Sequence, residues 1–140
     1  MGSKKIKKPE LSILMSVYNE SYTSIYTAIK SILNQTFENF ELILINDNPG
    51  NVIVDKDLSM ISKKDDRIKL IKNDVNRGLG YSLNFGVLNS SADIVARMDT
   101  DDKSLPKRLE KQISFMKNNN NVDLLFTQWI DINENEETEL

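Results

Sequence analysis

The sequence predicts one α/β domain, a mainly parallel sheet with helices on both faces. Three observations lead there. Short apolar runs of strand length recur along the chain, alternating with stretches whose apolar residues repeat at helical spacing. Several of those runs stop abruptly at polar clusters rich in Asn, Asp or Gly, as buried strands do where they open into loops. With 140 residues, the chain has room for one core and not for two of ordinary size.

Residues 11–17 are an apolar run that opens into Tyr18-Asn19-Glu20, and they read as the first strand. Ile25, Ala28, Ile29, Ile32 and Leu33 fall at i, i+3, i+4, i+7 and i+8, one apolar stripe on a helix that ends at Asn34-Gln35-Thr36. Residues 40–45 form a second buried strand, stopped by the turn formers Asn46-Asp47-Asn48-Pro49-Gly50. A weaker helix follows over 52–64, then a short third strand over 68–71 and a polar loop over 73–80 with two glycines. Leu79, Leu83 and Val87 supply the stripe of the next helix. Residues 94–98 are a fourth strand ending in Asp99-Thr100-Asp101-Asp102. Ser104 is the expected N-cap of a helix with Pro106 near its first turn and Leu109, Gln112, Ile113 and Met116 on one face. Residues 122–127 read as a fifth strand.

The domain is expected over 11–132. Residues 1–10, with Lys4, Lys5, Lys7 and Lys8, read as a basic leader or tag remnant without the apolar core of a signal peptide, and 133–140 as an acidic tail and possible truncation point. At 39% hydrophobic and 28% charged residues, with mean hydropathy −0.41, the composition is that of a soluble globular protein with no transmembrane segment. A net charge of −3 argues against nucleic acid as a partner, because backbone phosphates call for a basic face. The absence of Cys and His excludes disulfides, Cys/His zinc sites and Ser-His or Cys-His nucleophilic pairs. Chemistry must therefore run on carboxylates, Lys, Arg, Tyr or a metal held by oxygen ligands.

In open α/β sheets ligands bind beyond the carboxyl ends of the strands. Three polar loops belong there by topology: 18–20, 46–48 and 99–102. Three carboxylates within the four residues 99–102 repel one another, and Mn²⁺ or Mg²⁺, bound by one or two carboxylates and substrate phosphates, relieves that repulsion. An acidic turn that only caps the next helix is the other reading of the same residues. Asp47 suits the imide N–H of a uracil or thymine ring, or its own turn backbone; Tyr18 suits stacking on a base or covering the sheet edge. Arg77 suits a phosphate or solvent. Gly78 and Gly80 fall short of a dinucleotide fingerprint, because Leu83 stands at the third glycine position.

Taken in order, Ser12-Ile13-Leu14-Met15-Ser16-Val17-Tyr18-Asn19-Glu20, Ser31-Ile32-Leu33-Asn34-Gln35-Thr36-Phe37 and residues 40–47 resemble the opening of a family 2 glycosyltransferase of the GT-A fold. The match continues through Asn76-Arg77-Gly78, Asn84-Phe85-Gly86, residues 98–102 and Leu105-Pro106-Lys107-Arg108-Leu109. The resemblance implies a Rossmann-like nucleotide-sugar-binding domain, incomplete at this length, and inverting transfer from a nucleotide sugar, usually a UDP-sugar, to an acceptor saccharide or lipid-linked saccharide. It implies that Tyr18, Glu20, Asp47, Arg77, Asp99 and Asp101 hold the nucleotide sugar, and that Asp101 and Asp102 hold Mn²⁺ or Mg²⁺. It also implies a general base beyond residue 140, hence a fragment inactive alone, and a cytoplasmic location, peripheral at the inner face of the membrane.

Two departures stand out: Asn46 precedes Asp47 where many relatives have two acids, and Leu83-Asn84 stands where they have Arg-Asn. The Lys-, Asn- and Ile-rich composition is compatible with bacterial polysaccharide biosynthesis. Other readings are a nucleotide-binding module without turnover, a nucleotidyltransferase, which would want a basic glycine-rich loop after the first strand, and a receiver-like signalling domain with Asp47 as phospho-acceptor.

Overall fold

The computed structural model describes residues 8–133. They divide into two compact units, one up to Glu110 and a smaller one from Lys111. The elements run β1 (Leu11–Val17), α1 (Tyr22–Leu33), β2 (Phe40–Asn46), α2 (Val52–Ser62), β3 (Ile68–Lys72), α3 (Leu79–Leu88), β4 (Ile94–Arg97) and α4 (Arg108–Asn118). The four strands form one parallel sheet in the order β3-β2-β1-β4, with Leu14 beside Ile43 on one side and beside Arg97 on the other.

This order has a consequence for the site. The chain steps outward from β1 through β2 to β3, then returns past β1 to lay down β4. Right-handed crossovers therefore put α1 and α2 on one face and α3 on the other. The winding reverses between β1 and β4, and open sheets of this kind take ligands at the carboxyl ends of the strands near such a point.

The core follows from strands buried on both faces. Ile13, Met15, Leu42, Leu44 and Ile45 have no exposed surface, and neither do Ala28, Ile29 and Ile32 of α1 or Leu58 and Ile61 of α2. Local signals start the helices: the Ser21 hydroxyl accepts the Ser24 N–H, and the Asn51 side chain accepts the N–H groups of Ile53 and Val54. Arg67 knits the far edge. It pairs with Asp65, donates to the Leu33 carbonyl at 3.2 Å, and lies 4.6 Å over the Phe40 ring. The bond from Arg67 holds the Asp65 carboxyl below its ordinary range.

The apolar periodicity misplaces the buried face of α3. Leu79 and Val87 are about half exposed, and the fully buried positions are Ser82 and Gly86. The helix lies too close to the sheet for larger groups: a Cβ on Gly86 would come within 3.0 Å of methyls of both Ile45 and Leu14. Leu83 and Phe85 flank that approach and pack on Leu14, Ile43 and Ile45.

Two further expectations are corrected. Ser104 does not cap α4, which starts at Arg108 after a turn through Leu105 and Pro106; its hydroxyl instead accepts from the Arg108 guanidinium. Residues 122–127 form no strand. Leu124 and Phe126 are 71% and 80% exposed, and the Val122 N–H donates to the Asn119 carbonyl in a turn. Among the described residues, no helix is long and apolar enough to cross a membrane.

Candidate functional site

The parallel sheet brings the ends of β1, β2 and β4 to one edge, and the loops there hold each other. The Asn48 side chain donates to the Tyr18 carbonyl at 2.9 Å, and the Asn48 N–H donates to the Asn46 side chain at 2.8 Å. Glu20 turns back on its own loop, accepting the N–H groups of Tyr18 at 2.8 Å and Asn19 at 3.1 Å. Its carboxylate is thus an organiser of the first loop.

Asp47 is the most constrained group at this edge. Only 3% exposed, it accepts the Arg77 N–H at 2.7 Å and the Asn73 amide at 2.6 Å on Oδ1, and the Gly78 N–H at 2.8 Å on Oδ2. A carboxylate offers about four acceptor positions, so one on Oδ2 remains for a ligand. Asn73 also donates to Ser82 on α3 at 2.8 Å, which fastens the β3–α3 loop to the helix behind it. Gly78 takes φ 82°, a conformation that favours glycine, and this turn aims its N–H at Asp47.

Around Asp47 a cleft of about 280 Å³ is lined by Ser16, Tyr18, Glu20, Asp47, Asn76, Gly78 and Leu79. Tyr18 is half exposed and supplies an aromatic wall. Arg77 joins this site through its backbone. Its guanidinium forks onto Asp74 at 2.9 and 2.6 Å and lies 5.3 Å over the Tyr81 ring. Bonding from Arg77 in turn lowers the Asp74 pKa.

The departure at Asn46 has a structural reason. Fully buried, its amide donates to Asp55 at 3.0 Å while its oxygen accepts the Asn48 N–H. Lys72 also pairs with Asp55. An aspartate at position 46 would lack the N–H that this carboxylate accepts and would place a buried negative charge beside it.

Beyond β4, Asp99 is gripped by Arg97 through two bonds of 2.8 Å, and Asp101 and Asp102 lie exposed further along the turn. Partial desolvation first, and then repulsion from Asp101 and Asp99, raise the Asp102 pKa. Helix α1 carries this turn. Ser24 donates to the Thr100 carbonyl at 2.8 Å, Ser31 accepts the Ser104 N–H at 3.0 Å, and Gln35 donates to the Leu105 carbonyl at 2.7 Å and accepts the Leu109 N–H at 3.0 Å. Positions 24 and 31 share one face of the helix and Gln35 follows just past its C-cap, polar positions visible in the sequence that the apolar periodicity overshadows.

Among the described residues, no three acidic side chains converge into a ready-made metal cage. The donor set nevertheless suits a hard divalent cation. Asp101 and Asp102 supply two carboxylates whose repulsion a cation relieves, and such ions take their remaining ligands from phosphates and water. The structure thus gathers Tyr18, Glu20 and Asp47 around one cleft, with Asp99, Asp101 and Asp102 in the turn that follows β4, the strand beside β1. Arg77 contributes main chain there. Reasoning from the sequence named no role for Asn73, Ser24, Ser31, Gln35 or Arg108.

Comparison with known proteins bears on the family of the chain and on its fold. The chain is 41% identical over 131 residues to the uncharacterized glycosyltransferase MJ1057 of Methanocaldococcus jannaschii, covering 94% of this chain and 45% of that protein. It is 38% identical over 128 residues to the O-antigen biosynthesis glycosyltransferase WbnJ of Escherichia coli, covering 91% of this chain and 49% of the relative. The chain therefore spans about half the length of these curated relatives.

In fold it is similar to S. aureus TarS, with a TM-score of 0.67, 20% identity and coverage of 79% of this chain and 20% of that one. It is also similar to the mannosyltransferase PcManGT of Pyrobaculum calidifontis in complex with GDP-Man and Mn²⁺, with a TM-score of 0.61, 17% identity and coverage of 69% and 29%. The family model described as glycosyl transferase family 2 matches residues 12–139, nearly the whole chain. With its parallel sheet, its cleft at the carboxyl edge and that match, the chain belongs to glycosyl transferase family 2.

Proposed function

We propose that this chain binds the donor of an inverting glycosyltransferase, a UDP-sugar, with its base in the Asp47 cleft and its diphosphate toward the acidic turn. The observation that carries the reading is the remaining acceptor position on Asp47, a buried carboxylate at the wall of a cleft beside an exposed aromatic ring. Uracil presents an imide N–H to such an acceptor, and the Tyr18 ring offers it a stacking surface. At about 280 Å³ the cleft is near the lower end of the ~300–1,000 Å³ typical of ligand pockets, a size for a base and part of its ribose. The diphosphate then extends out of it.

Asp101 and Asp102 hold Mn²⁺ or Mg²⁺ in this reading, and Asp99 serves the ribose. When bound, the cation neutralises the departing diphosphate. The mannosyltransferase neighbour, which carries GDP-Man and Mn²⁺, supports a metal-assisted donor site of this kind. The acceptor is a saccharide or lipid-linked saccharide. Its general base comes from sequence outside residues 1–140, consistent with a chain that spans about half of its relatives.

Calorimetric titration of UDP, and of GDP for comparison, with and without Mn²⁺ tests the proposal. UDP is expected to bind at least about 10-fold more tightly with the metal present. Metal-indifferent binding, or a preference for GDP, overturns the metal or the uracil part respectively.

A further inference from the structure

We infer that Arg108 is a positioning residue for the acidic turn, a guanidinium clasp that joins the two ends of the turn and holds Asp101 and Asp102 for a divalent cation; this rests on the donor-site reading above. Arg108 donates through Nη2 to the Arg97 carbonyl at 2.9 Å, where the chain leaves β4, and through Nη1 to the Ser104 hydroxyl at 2.8 Å, where the turn ends. Nη1 also lies 3.2 Å from the sulfur of Met98, a residue only 3% exposed that anchors the turn in the core. One planar cation thus spans residues 97–104 from entry to exit.

Its charge matters as well as its reach. Arg108 acts electrostatically on both Asp102 and Asp99, which otherwise repel each other and Asp101. Ser24 and Ser31 of α1 hold the same turn at other groups, the Thr100 carbonyl and the Ser104 N–H. Two acceptors in different places require the fork of arginine. Lysine keeps the charge, but its three donors sit on one nitrogen and lack the span of the guanidinium fork that reaches both ends.

The experiment measures free Mn²⁺ by its electron paramagnetic resonance signal, in the presence of UDP, for the full chain and for Arg108→Lys, Arg108→Met and Ser104→Ala. Residues that orient metal ligands typically change metal affinity by about 10–100-fold. Arg108→Met is expected at the upper end of that range, Arg108→Lys near 10-fold because charge without the fork is not enough, and Ser104→Ala, which removes one end of the clasp, at about 3-fold. Metal-free UDP binding, which uses the Asp47 cleft, is expected to change less than about 2-fold in all three, a separation that general unfolding would not produce.

Wild-type Mn²⁺ affinity in Arg108→Lys and Ser104→Ala, with affinity lost in an Asp101→Ala/Asp102→Ala variant, overturns the clasp and leaves the donor site standing. Unchanged affinity in that double variant overturns the donor-site reading and the clasp with it. If Arg108→Met also loses metal-free UDP binding, Arg108→Lys and Ser104→Ala carry the decision by the same measurements.

Discussion

Asp47→Ala is expected to lower the stability of the chain by about 2–4 kcal/mol and to abolish UDP binding in the absence of metal. The carboxylate accepts from three donors at once, the N–H groups of Arg77 and Gly78 and the Asn73 amide, in a site almost closed to water. Truncation leaves all three without their acceptor, and an unsatisfied buried donor costs about 1–3 kcal/mol. Part of that is regained when the loop opens to water. For a domain of this size the expected loss corresponds to a fall in Tm of about 8–16 °C, read by circular dichroism. Asp47→Asn should fall between the two, because it keeps one acceptor oxygen but turns an amide donor toward the loop's own N–H groups. A melting curve and a UDP titration that both match the parent would refute the dual role assigned to Asp47.

The second large effect runs in opposite directions in two measurements. Asp101→Ala with Asp102→Ala is expected to remove the metal-dependent part of UDP binding, a loss on the order of 100-fold in the presence of Mn²⁺. Metal-free stability at neutral pH should rise. The folded chain raises the Asp102 pKa, so the charged carboxylate is disfavoured in the native state relative to the unfolded one. The contribution of Asp102 to stability is thus intact below its unfolded pKa and diminishes as pH climbs through the raised folded value. Removing Asp102 should therefore help at pH 7 and make little difference in acid. Added Mn²⁺ should stabilise the parent chain and not the double variant. A double variant that is less stable at pH 7 without metal, or that still gains from Mn²⁺, would contradict this assignment.

Much of the fold could be read from periodicity because the central strands β1 and β2 are buried on both sides. The runs that became β1, β2 and β3 are short, apolar and bounded by Asn, Asp and Gly, and the stripe of Ile25, Ala28, Ile29 and Ile32 has a single possible partner, the sheet. Periodicity failed on α3 because helix-to-sheet distance, a property of shape, decided which residues were buried. Gly86 lies against Leu14 and Ile45 of the sheet with no room for a Cβ, Ser82 is buried with it, and no count of apolar residues carries that information. Residues 122–127 have the composition of a strand but form none, and Leu124 and Phe126 stay exposed.

The carboxylates of the site were legible for a related reason: charged residues directly after a buried strand are costly unless they do something. What surrounds them was harder to see. The Asp47 carboxylate is held largely by backbone N–H groups, which any residue supplies and no motif records. Arg77 looked like a phosphate ligand, yet Asp74, three residues earlier, captures its guanidinium. Arg108 lies in a helix ten residues after Met98, and only the turn at Pro106 brings it back to the end of β4.

Paramagnetic broadening of amide signals by Mn²⁺, recorded for the chain with and without UDP, tests most directly the claim that one edge of the sheet holds both metal and nucleotide. With UDP present, the strongest losses are expected at residues 99–104, with weaker effects at 16–20, 47–48 and 76–79 on the neighbouring loops. Without UDP, broadening at the acidic turn should be much weaker, because the diphosphate supplies part of the metal's coordination. Broadening centred on any other surface, or identical with and without UDP, would contradict a metal-assisted donor site at this edge.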